Sequence, residues 1–192
     1  MDIPDLPARS ETNSVAAAEE IHKVVPNAAP ITYINLDLTS FDSITQAVKD
    51  FHDHSESFHI LVSNAGIMAT PAGVTEEGYE IHFGTNHLGH ALLTKLLLPT
   101  LKKTAAASSP PREVRIVNGA SSAKASSPAS DTYKFDKLKT DMASTSTVTR
   151  YGISKMANIH HARALSRRHP EIRSISLHPG VVNTNLTNGV VA

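Results

Sequence analysis

Apolar positions along this chain of 192 residues alternate between helical and strand spacing. Residues 14–25 place apolar side chains three or four apart and end at a proline, which predicts a helix. The segment ITYINLDL (31–38) is β-branched and aromatic and predicts a strand. TSFDSITQAVKDFHDH follows it with a Ser/Thr cap and helical periodicity. The first quarter of the chain therefore predicts a helix, a strand and a second helix.

The same alternation continues to the end of the sequence. FHILVSNAG (58–66) predicts a short buried strand that turns sharply, and residues 80–103 predict a long helix. EVRIVNGASS (113–122) predicts a strand, a polar Ser/Thr-rich insertion follows, and TRYGISKMANIHHARAL (149–165) opens a helix. EIRSISLHPG predicts a last strand. Alternating strands and helices favour one α/β domain, a parallel sheet with helices on both faces.

Small or polar residues follow four of the predicted strands. They are Asp37, the turn 63–66, the pair Ser121 and Ser122, and the loop 179–184. In open α/β sheets, ligands bind beyond the carboxyl ends of the strands. We therefore expect a binding site at this edge of the sheet.

Tyr151 stands four residues before Lys155 in the last predicted helix. Residues i and i+4 share a helix face, so the phenol and the ammonium can project to the same side. A unit charge about 4 Å away gives roughly 4 kcal/mol at an effective dielectric near 20. This sets an upper limit of about 3 units on the lowering of the tyrosine pKa, from about 10 toward about 7, where it could exchange protons. For an isolated pair, a packed tyrosine and a solvated lysine is the simpler interpretation.

Composition and charge exclude several classes of function. Eighteen basic residues balance eighteen acidic ones, so no net charge attracts nucleic acid or an acidic membrane. There is no cysteine, and the eleven histidines lack a zinc-binding pattern, so we expect no metal site. The N-terminus has no signal-peptide pattern, and the most apolar segment is too short to span a bilayer. We expect a soluble, cytoplasmic protein with a small-molecule partner.

Five motifs occur in a fixed order: SNAG, TNHLGH, VNGASS, YGISK and HPGVVNT. In this order they resemble the short-chain dehydrogenase/reductase family, and within it the retinol-dehydrogenase-like branch, from about Arg9 to Asn185. The resemblance implies a Rossmann-like fold and an oxidoreductase that uses NADP or NAD to interconvert an alcohol and a carbonyl. Arg9 lies where members that prefer NADP often carry a basic residue, which favours NADP slightly.

The resemblance also implies catalytic roles. Tyr151 would pass a proton to or from the substrate oxygen, and Lys155 would lower the tyrosine pKa and bind the nicotinamide ribose. Ser122 would orient the substrate oxygen, and Asn86 would hold a water in the proton relay. Asn86 could equally be a polar residue that bonds within a kinked helix, and the two serines could be turn residues.

A set of cofactor-binding residues follows from the same resemblance. Asp37 would contact the adenine side, although it could equally cap the next helix. Asn64 can tie neighbouring strands by its side chain, and this structural role coexists with the cofactor role. The whole set is Asp37, Asn64, Ala65, Gly66, Tyr151, Lys155, Pro179, Gly180, Val182 and Thr184.

The sequence departs from the family at both ends. The glycine-rich turn T-G-x-x-x-G-x-G does not occur, and Pro4 and Pro7 argue against a central strand at the start. The resemblance therefore implies an incomplete fold in which the first two strands are missing. In the family's strand order 3-2-1-4-5-6, this would leave a gap of roughly 14 Å and split the sheet. The family's last helix and strand are also absent.

Three explanations of this departure stay open: a partial gene model, a degenerate member that no longer binds cofactor, and a rearranged fold that still works. They leave an alternative function as well. The chain could be a non-catalytic interaction partner, because the family's helices at about 80–103 and 151–168 commonly pack against a second subunit. A homo-oligomer is conceivable through the same helices.

Overall fold

A computed structural model describes residues 5–8, 11–25, 27–108, 113–128 and 132–180. Strands and helices alternate along these residues, as the sequence predicts. In chain order they are β1 (Asp5–Ala8), α1 (Glu11–Val24), β2 (Thr32–Asn35), α2 (Phe41–His54), β3 (Ile60–Ser63), α3 (Ile81–Phe83), a π-helical segment (Gly84–Gly89), α4 (His90–Ala107), β4 (Arg115–Gly119), a 3₁₀ helix (Ser122–Ser126), α5 (Phe135–Leu138), α6 (Thr147–Arg168) and β5 (Arg173–Leu177).

The described strands form two separate parallel sheets. One contains β1 and β2, and the other has the order β3-β4-β5 with β4 in the middle. This arrangement of parallel strands and helices confirms the predicted α/β, Rossmann-like class. It also confirms that the sheet is split.

The first strand corrects one expectation. Both strands before β2 were expected to be missing, yet residues 5–8 form β1, with Pro7 opposite Ile34 of β2. Among the described residues β1 pairs only with β2, so the absent N–H of Pro7 does not interrupt a ladder on both sides. Under the family's strand order, the described residues then lack one strand rather than two between β1 and β3.

Helix α2 has the N-terminal cap and the buried apolar face from which the sequence predicted it. Ser40 caps its N-terminus by accepting a hydrogen bond from the Ser43 N–H. One face of the helix is buried, as its apolar spacing predicted, through Ile44, Ala47, Val48 and Phe51.

The hydrophobic core is continuous across the split between the sheets. Ile34 of β2 belongs to the same buried cluster as Leu61 of β3, Ile116 of β4 and Leu101 of α4. A Cβ added at Gly89 would lie 2.5 Å from the Leu38 carbonyl oxygen, so the chain after β2 packs directly on the helix that carries the core. Apolar burial therefore joins the two sheets where no hydrogen-bonded ladder does.

The two faces of the three-stranded sheet differ in burial. Leu61 and Ile116 point into the core and are 6% and 1% exposed. On the other face, the apolar residues of β3 and β5 are 42% to 59% exposed; these are Ile60, Val62, Ile175 and Leu177. Alternate residues of a strand point to opposite faces, so one side of this sheet is open in the described part of the chain.

The long helix predicted at 80–103 runs from Ile81 to Ala107 through α3, the π-helical segment and α4. The Ser/Thr-rich insertion after β4 contains only short helices in its described residues, and Ser146 caps α6. None of the helices that the structure describes is long and apolar enough to cross a membrane.

Candidate active site

Tyr151 and Lys155 lie on one side of α6, as their spacing predicted. The Lys155 Nζ atom is 5.5 Å from the centre of the Tyr151 ring. Both residues are buried, each with 6% of its surface exposed. The Nζ atom donates a hydrogen bond to the Gly119 carbonyl oxygen, 3.2 Å away, at the end of β4. The pair therefore faces the carboxyl end of the central strand.

The pKa of Tyr151 is raised, whereas the spacing of Tyr151 and Lys155 predicted that it would be lowered. Burial raises the pKa of Tyr151 above its ordinary value of 10.0, and this outweighs a hydrogen bond with the Ser121 side chain, which lowers it. Burial lowers the pKa of Lys155 from 10.5 to about 8. Loss of solvation disfavours the charged form of each group, and the Lys155 ammonium is directed to the Gly119 carbonyl. Tyr151 is thus a protonated phenol at neutral pH.

The serine that contacts Tyr151 is the first of the pair. Ser121 hydrogen-bonds with the Tyr151 side chain, and its hydroxyl also accepts from the Ala123 N–H, which caps the 3₁₀ helix. Ser122 is the first residue of that helix and is exposed. The structure therefore places Ser121, rather than the predicted Ser122, at the phenol. The sequence could not distinguish them because the tight turn after β4 decides which hydroxyl faces α6.

Asn86 is fully buried in the π-helical segment, and its side chain makes three hydrogen bonds. Its Oδ1 atom accepts from the Ile67 N–H at 2.8 Å, and its Nδ2 atom donates to the Ile67 carbonyl at 2.9 Å and to Ser154 Oγ at 3.1 Å. These contacts match the alternative in which Asn86 serves a kinked helix. The predicted water-holding role stays a prediction.

Asn158 is a residue of this site that sequence reasoning missed. Its Nδ2 atom donates to the Asn86 carbonyl at 3.0 Å and to the Gly119 carbonyl at 2.9 Å. Gly119 thus receives hydrogen bonds from both Lys155 and Asn158. The available signal was the spacing, because residue 158 lies seven positions after Tyr151, two helical turns along the same face.

The turn 64–66 lies beside Lys155. A Cβ added at Gly66 would lie 2.7 Å from Asn86 Oδ1 and 3.7 Å from Lys155 Nζ, so Asn86 leaves no room for a side chain there. The Ala65 carbonyl accepts a hydrogen bond from His90 Nε2 at 2.8 Å. Asn64 and Ala65 are exposed. The predicted turn and the predicted catalytic pair therefore meet at one place.

The two histidines of the TNHLGH motif, the half-buried His87 and the buried His90, are neutral at pH 7. The pKa of His87 and the pKa of His90 are each lowered to about 4, mainly because loss of solvent disfavours the charged imidazolium. The positive charge of Lys155 contributes to the lowering at His90. Uncharged imidazoles can occupy this interior without a counter-ion.

The remaining predicted cofactor residues are Asp37, Pro179, Gly180, Val182 and Thr184, and the structure describes the first three of them. The Asp37 Oδ1 atom accepts from both the N–H and the hydroxyl of Thr39, each at 2.8 Å, so Asp37 closes a local turn while Ser40 caps α2. Pro179 and Gly180 are exposed, and Gly180 has a φ of 86°. Val182 and Thr184 lie outside the described residues.

Comparison with known proteins assigns the family. The model of the short chain dehydrogenase family matches residues 6–133. The chain belongs to the short-chain dehydrogenase family. An uncharacterized oxidoreductase of Schizosaccharomyces pombe is 43% identical over 184 residues, which is 95% of this chain and 53% of that protein. Mouse retinol dehydrogenase 12 is 36% identical over 174 residues, 90% of this chain and 51% of that enzyme. The chain thus spans about half the length of the curated short-chain dehydrogenases it matches.

Solved structures agree with the family's fold. An uncharacterized protein from Mycobacterium paratuberculosis superposes with a TM-score of 0.70 at 29% identity, over 96% of this chain and 61% of that one. A short-chain dehydrogenase from Sphingobium yanoikuyae in complex with NADPH gives a TM-score of 0.68 at 19% identity, over 96% of this chain and 63% of that one. The second likeness shows the fold alone.

Proposed function

We propose that this chain carries the proton-transfer site of an NAD(P)-dependent oxidoreductase that interconverts an alcohol and a carbonyl. The observation that carries the proposal is the grouping of Tyr151, Lys155 and Ser121 at the carboxyl end of β4. The family membership supports it, as do relatives that are named oxidoreductase and retinol dehydrogenase. We take NADP as the first cofactor to test, with NAD beside it.

The residues present fit one half of a nicotinamide dinucleotide. An ammonium has three N–H donors, and the hydrogen bond to the Gly119 carbonyl is the one Lys155 makes within the described residues. The other donors are available for the hydroxyls of a nicotinamide ribose beside the turn 64–66. The sequence has no glycine-rich turn for the pyrophosphate, so we assign no residues to the pyrophosphate, and Asp37 stays the predicted contact on the adenine side.

NADPH, when bound, would supply the hydride, and the protein supplies the proton and the orientation. Tyr151 carries its phenolic proton at neutral pH and would donate it to a carbonyl oxygen, although burial, which raises its pKa, makes it a weaker acid than a free tyrosine. Lys155, with a pKa of about 8, is largely charged at pH 7 and stabilises the phenolate that the transfer leaves. Ser121 holds the phenol and would donate to the same substrate oxygen.

The proposal is tested by an assay of the reduction of an apolar aldehyde such as retinal. The loss of NADPH absorbance measures the rate. Tyr151→Phe should lower the rate by about a hundredfold or more, because the ring packs as before but carries no proton. Ser121→Ala should lower the rate more than Ser122→Ala, since Ser121 contacts the phenol. Equal turnover by the Tyr151→Phe variant and the wild type would contradict the proposal.

A further inference from the structure

A buried ion pair joins two distant parts of the chain directly beside Tyr151. Glu80 precedes α3, and Arg150 precedes Tyr151 in the first turn of α6. Glu80 Oε1 and Arg150 Nη1 are 3.0 Å apart, and the two side chains are 1% and 4% exposed. His82, which is fully buried, places Nδ1 2.9 Å from the same oxygen. The proton-transfer mechanism above assigns no role to these three residues.

The guanidinium of Arg150 connects three segments. Besides Glu80, it donates through Nη2 to the Thr70 carbonyl at 3.3 Å and through Nε to the Thr145 carbonyl at 3.3 Å. Thr147 also donates its hydroxyl proton to the Thr70 carbonyl. The loop at Thr70, the turn before α6 and the start of α3 are therefore held to one side chain.

Glu80 fixes the opposite end of the cluster. Its Oε2 atom accepts from the Phe83 N–H at 2.7 Å and caps α3. Burial would raise the pKa of the Glu80 carboxyl, but hydrogen bonds from His82 and the Phe83 N–H outweigh it and hold the pKa below the usual value. Glu80 is thus a carboxylate at neutral pH and balances the charge of Arg150.

These contacts hold Tyr151 on both sides along α6. Arg150, the residue before Tyr151, is held by its ion pair with Glu80, and the His82 ring lies 6.3 Å from the Tyr151 ring at an interplanar angle of 76°. On the following side, Ser154 Oγ donates to the Tyr151 carbonyl at 2.7 Å and accepts from Asn86 Nδ2. Two sets of buried hydrogen bonds therefore hold the α6 backbone at Tyr151, one on each side of the residue.

Stability alone does not account for this cluster. Removing charges from water is costly, and well-packed apolar residues in place of a buried ion pair often leave a protein equally stable or more so. What the ion pair provides is a fixed geometry. We propose that Glu80 and Arg150 are positioning residues that hold the Tyr151 side chain against Ser121. This inference rests on the proposed function for the purpose it serves.

Nitration of tyrosines by tetranitromethane, mapped by mass spectrometry of peptides, tests the inference without cofactor or catalysis. The variants are Glu80→Gln and Arg150→Lys, which keep the size of each side chain but not the paired geometry. In both, Tyr151 should be nitrated about tenfold faster or more, because a lost charged hydrogen bond makes local opening easier. Tyr33, in the other sheet, should keep its rate.

Thr100→Val is the matched control. Thr100 is 9% exposed in α4, and its hydroxyl lies 2.8 Å from His52 Nε2, outside the cluster. The control should leave nitration of Tyr151 at the wild-type rate. The inference is overturned if folded Glu80→Gln also nitrates at the wild-type rate, or if Tyr33 and Tyr151 accelerate together in it. If Arg150→Lys does not fold, Glu80→Gln decides.

NADPH titration of the same samples separates this inference from the proposed function. Faster nitration of Tyr151 in a protein that binds no NADPH would support positioning and defeat the oxidoreductase proposal. If the variants nitrate Tyr151 at the wild-type rate and the protein binds NADPH, the positioning inference is overturned and the oxidoreductase proposal is supported.

Discussion

The two sheets of the molecule are held in different ways. Among the described residues of β1, α1 and β2, several side-chain hydrogen bonds are local: His22 with the Ala18 carbonyl, Lys23 with Glu20 and Tyr33 with Asn35. In the region of β3, β4, β5, α4 and α6, buried amides connect residues far apart in sequence, such as Asn158 with the Asn86 and Gly119 carbonyls. Long-range polar contacts therefore collect where the candidate site is.

Side chains are also less buried in the first region than in the second. Val15, Ile21 and Val24 of α1 are 41% to 80% exposed, and an open groove of about 580 Å³ lies between α1 and β2. In α6, ten residues are buried, among them charged and polar ones such as Arg150, Lys155 and Asn158. Local stability follows buried contacts, so we expect the first region to open at a lower free energy than the second. The comparison teaches that the buried polar contacts of the site lie in the more deeply buried region, which shares its apolar core with β2.

The largest loss of stability should come from a core substitution in the second region, which comprises β3, β4, β5, α4 and α6. Leu101 of α4 is fully buried. Leu101→Ala should lower the free energy of unfolding by about 2 to 5 kcal/mol, because it leaves a cavity. Urea denaturation measures the change. Leu101→Met keeps the volume and should cost less than about 1.5 kcal/mol; equal losses in both variants would contradict the described packing.

Acid should destabilise the second region through His90. Its folded pKa of about 4 lies below the ordinary 6.5, so the unfolded chain binds more protons between those values. Stability is complete above about pH 6.5 and falls as the pH drops toward 4, by about 3 kcal/mol for this group.

Unfolding curves at several pH values test this dependence on His90. His90→Gln retains an N–H donor for the Ala65 carbonyl and should flatten the dependence. The control is His54→Gln, because His54 is exposed at the end of α2. A pH dependence that is the same in wild type and His90→Gln would show that His90 is not its source.

A smaller loss of stability is expected when the side-chain amide of Asn158, which links α6 to the Gly119 carbonyl of β4, is removed. Asn158→Leu keeps the volume but leaves the Asn86 carbonyl without its donor, which should cost about 2 kcal/mol. Gln46→Leu is the matched control, since Gln46 bonds Asp50 on an exposed face and should change stability by less than about 0.5 kcal/mol. Chemical denaturation compares them, and equal small effects would remove Asn158 from the account.

The smallest effect should lie in the first region. Val24 is 80% exposed at the end of α1. Val24→Lys should change the free energy of unfolding by no more than about 0.5 kcal/mol. Thermal melts with hydrogen exchange of α1 measure it. A loss as large as that of Leu101→Ala would mean that this surface is covered and that the two regions do not differ as described.

The fold was predictable where a local pattern decides it. Ser40 and the apolar spacing of α2 sufficed for that helix, and the separation of Tyr151 and Lys155 by four residues sufficed for their shared face. The strand β1 was missed because Pro7 argues against a strand flanked on both sides, whereas a strand paired on one side tolerates proline.

The site was less predictable because it depends on tertiary contacts. The choice of Ser121 over Ser122 is made by the turn after β4, and the raised pKa of Tyr151 comes from burial, which spacing does not reveal. The Glu80 and Arg150 pair spans seventy positions of sequence and carries no motif. Polar residues that meet across such distances become visible only in the folded chain.

The most direct test compares NADPH with reduced nicotinamide mononucleotide, which is its nicotinamide ribose phosphate half, by titration followed through nicotinamide fluorescence. Because Lys155 and the turn 64–66 fit only that half, the two ligands should bind with affinities within about tenfold, a difference of about 1.4 kcal/mol. Lys155→Met should abolish binding of both ligands, whereas Tyr151→Phe should retain it. If neither ligand binds the wild type at millimolar concentration, or if Lys155→Met binds them equally well, the oxidoreductase account is contradicted.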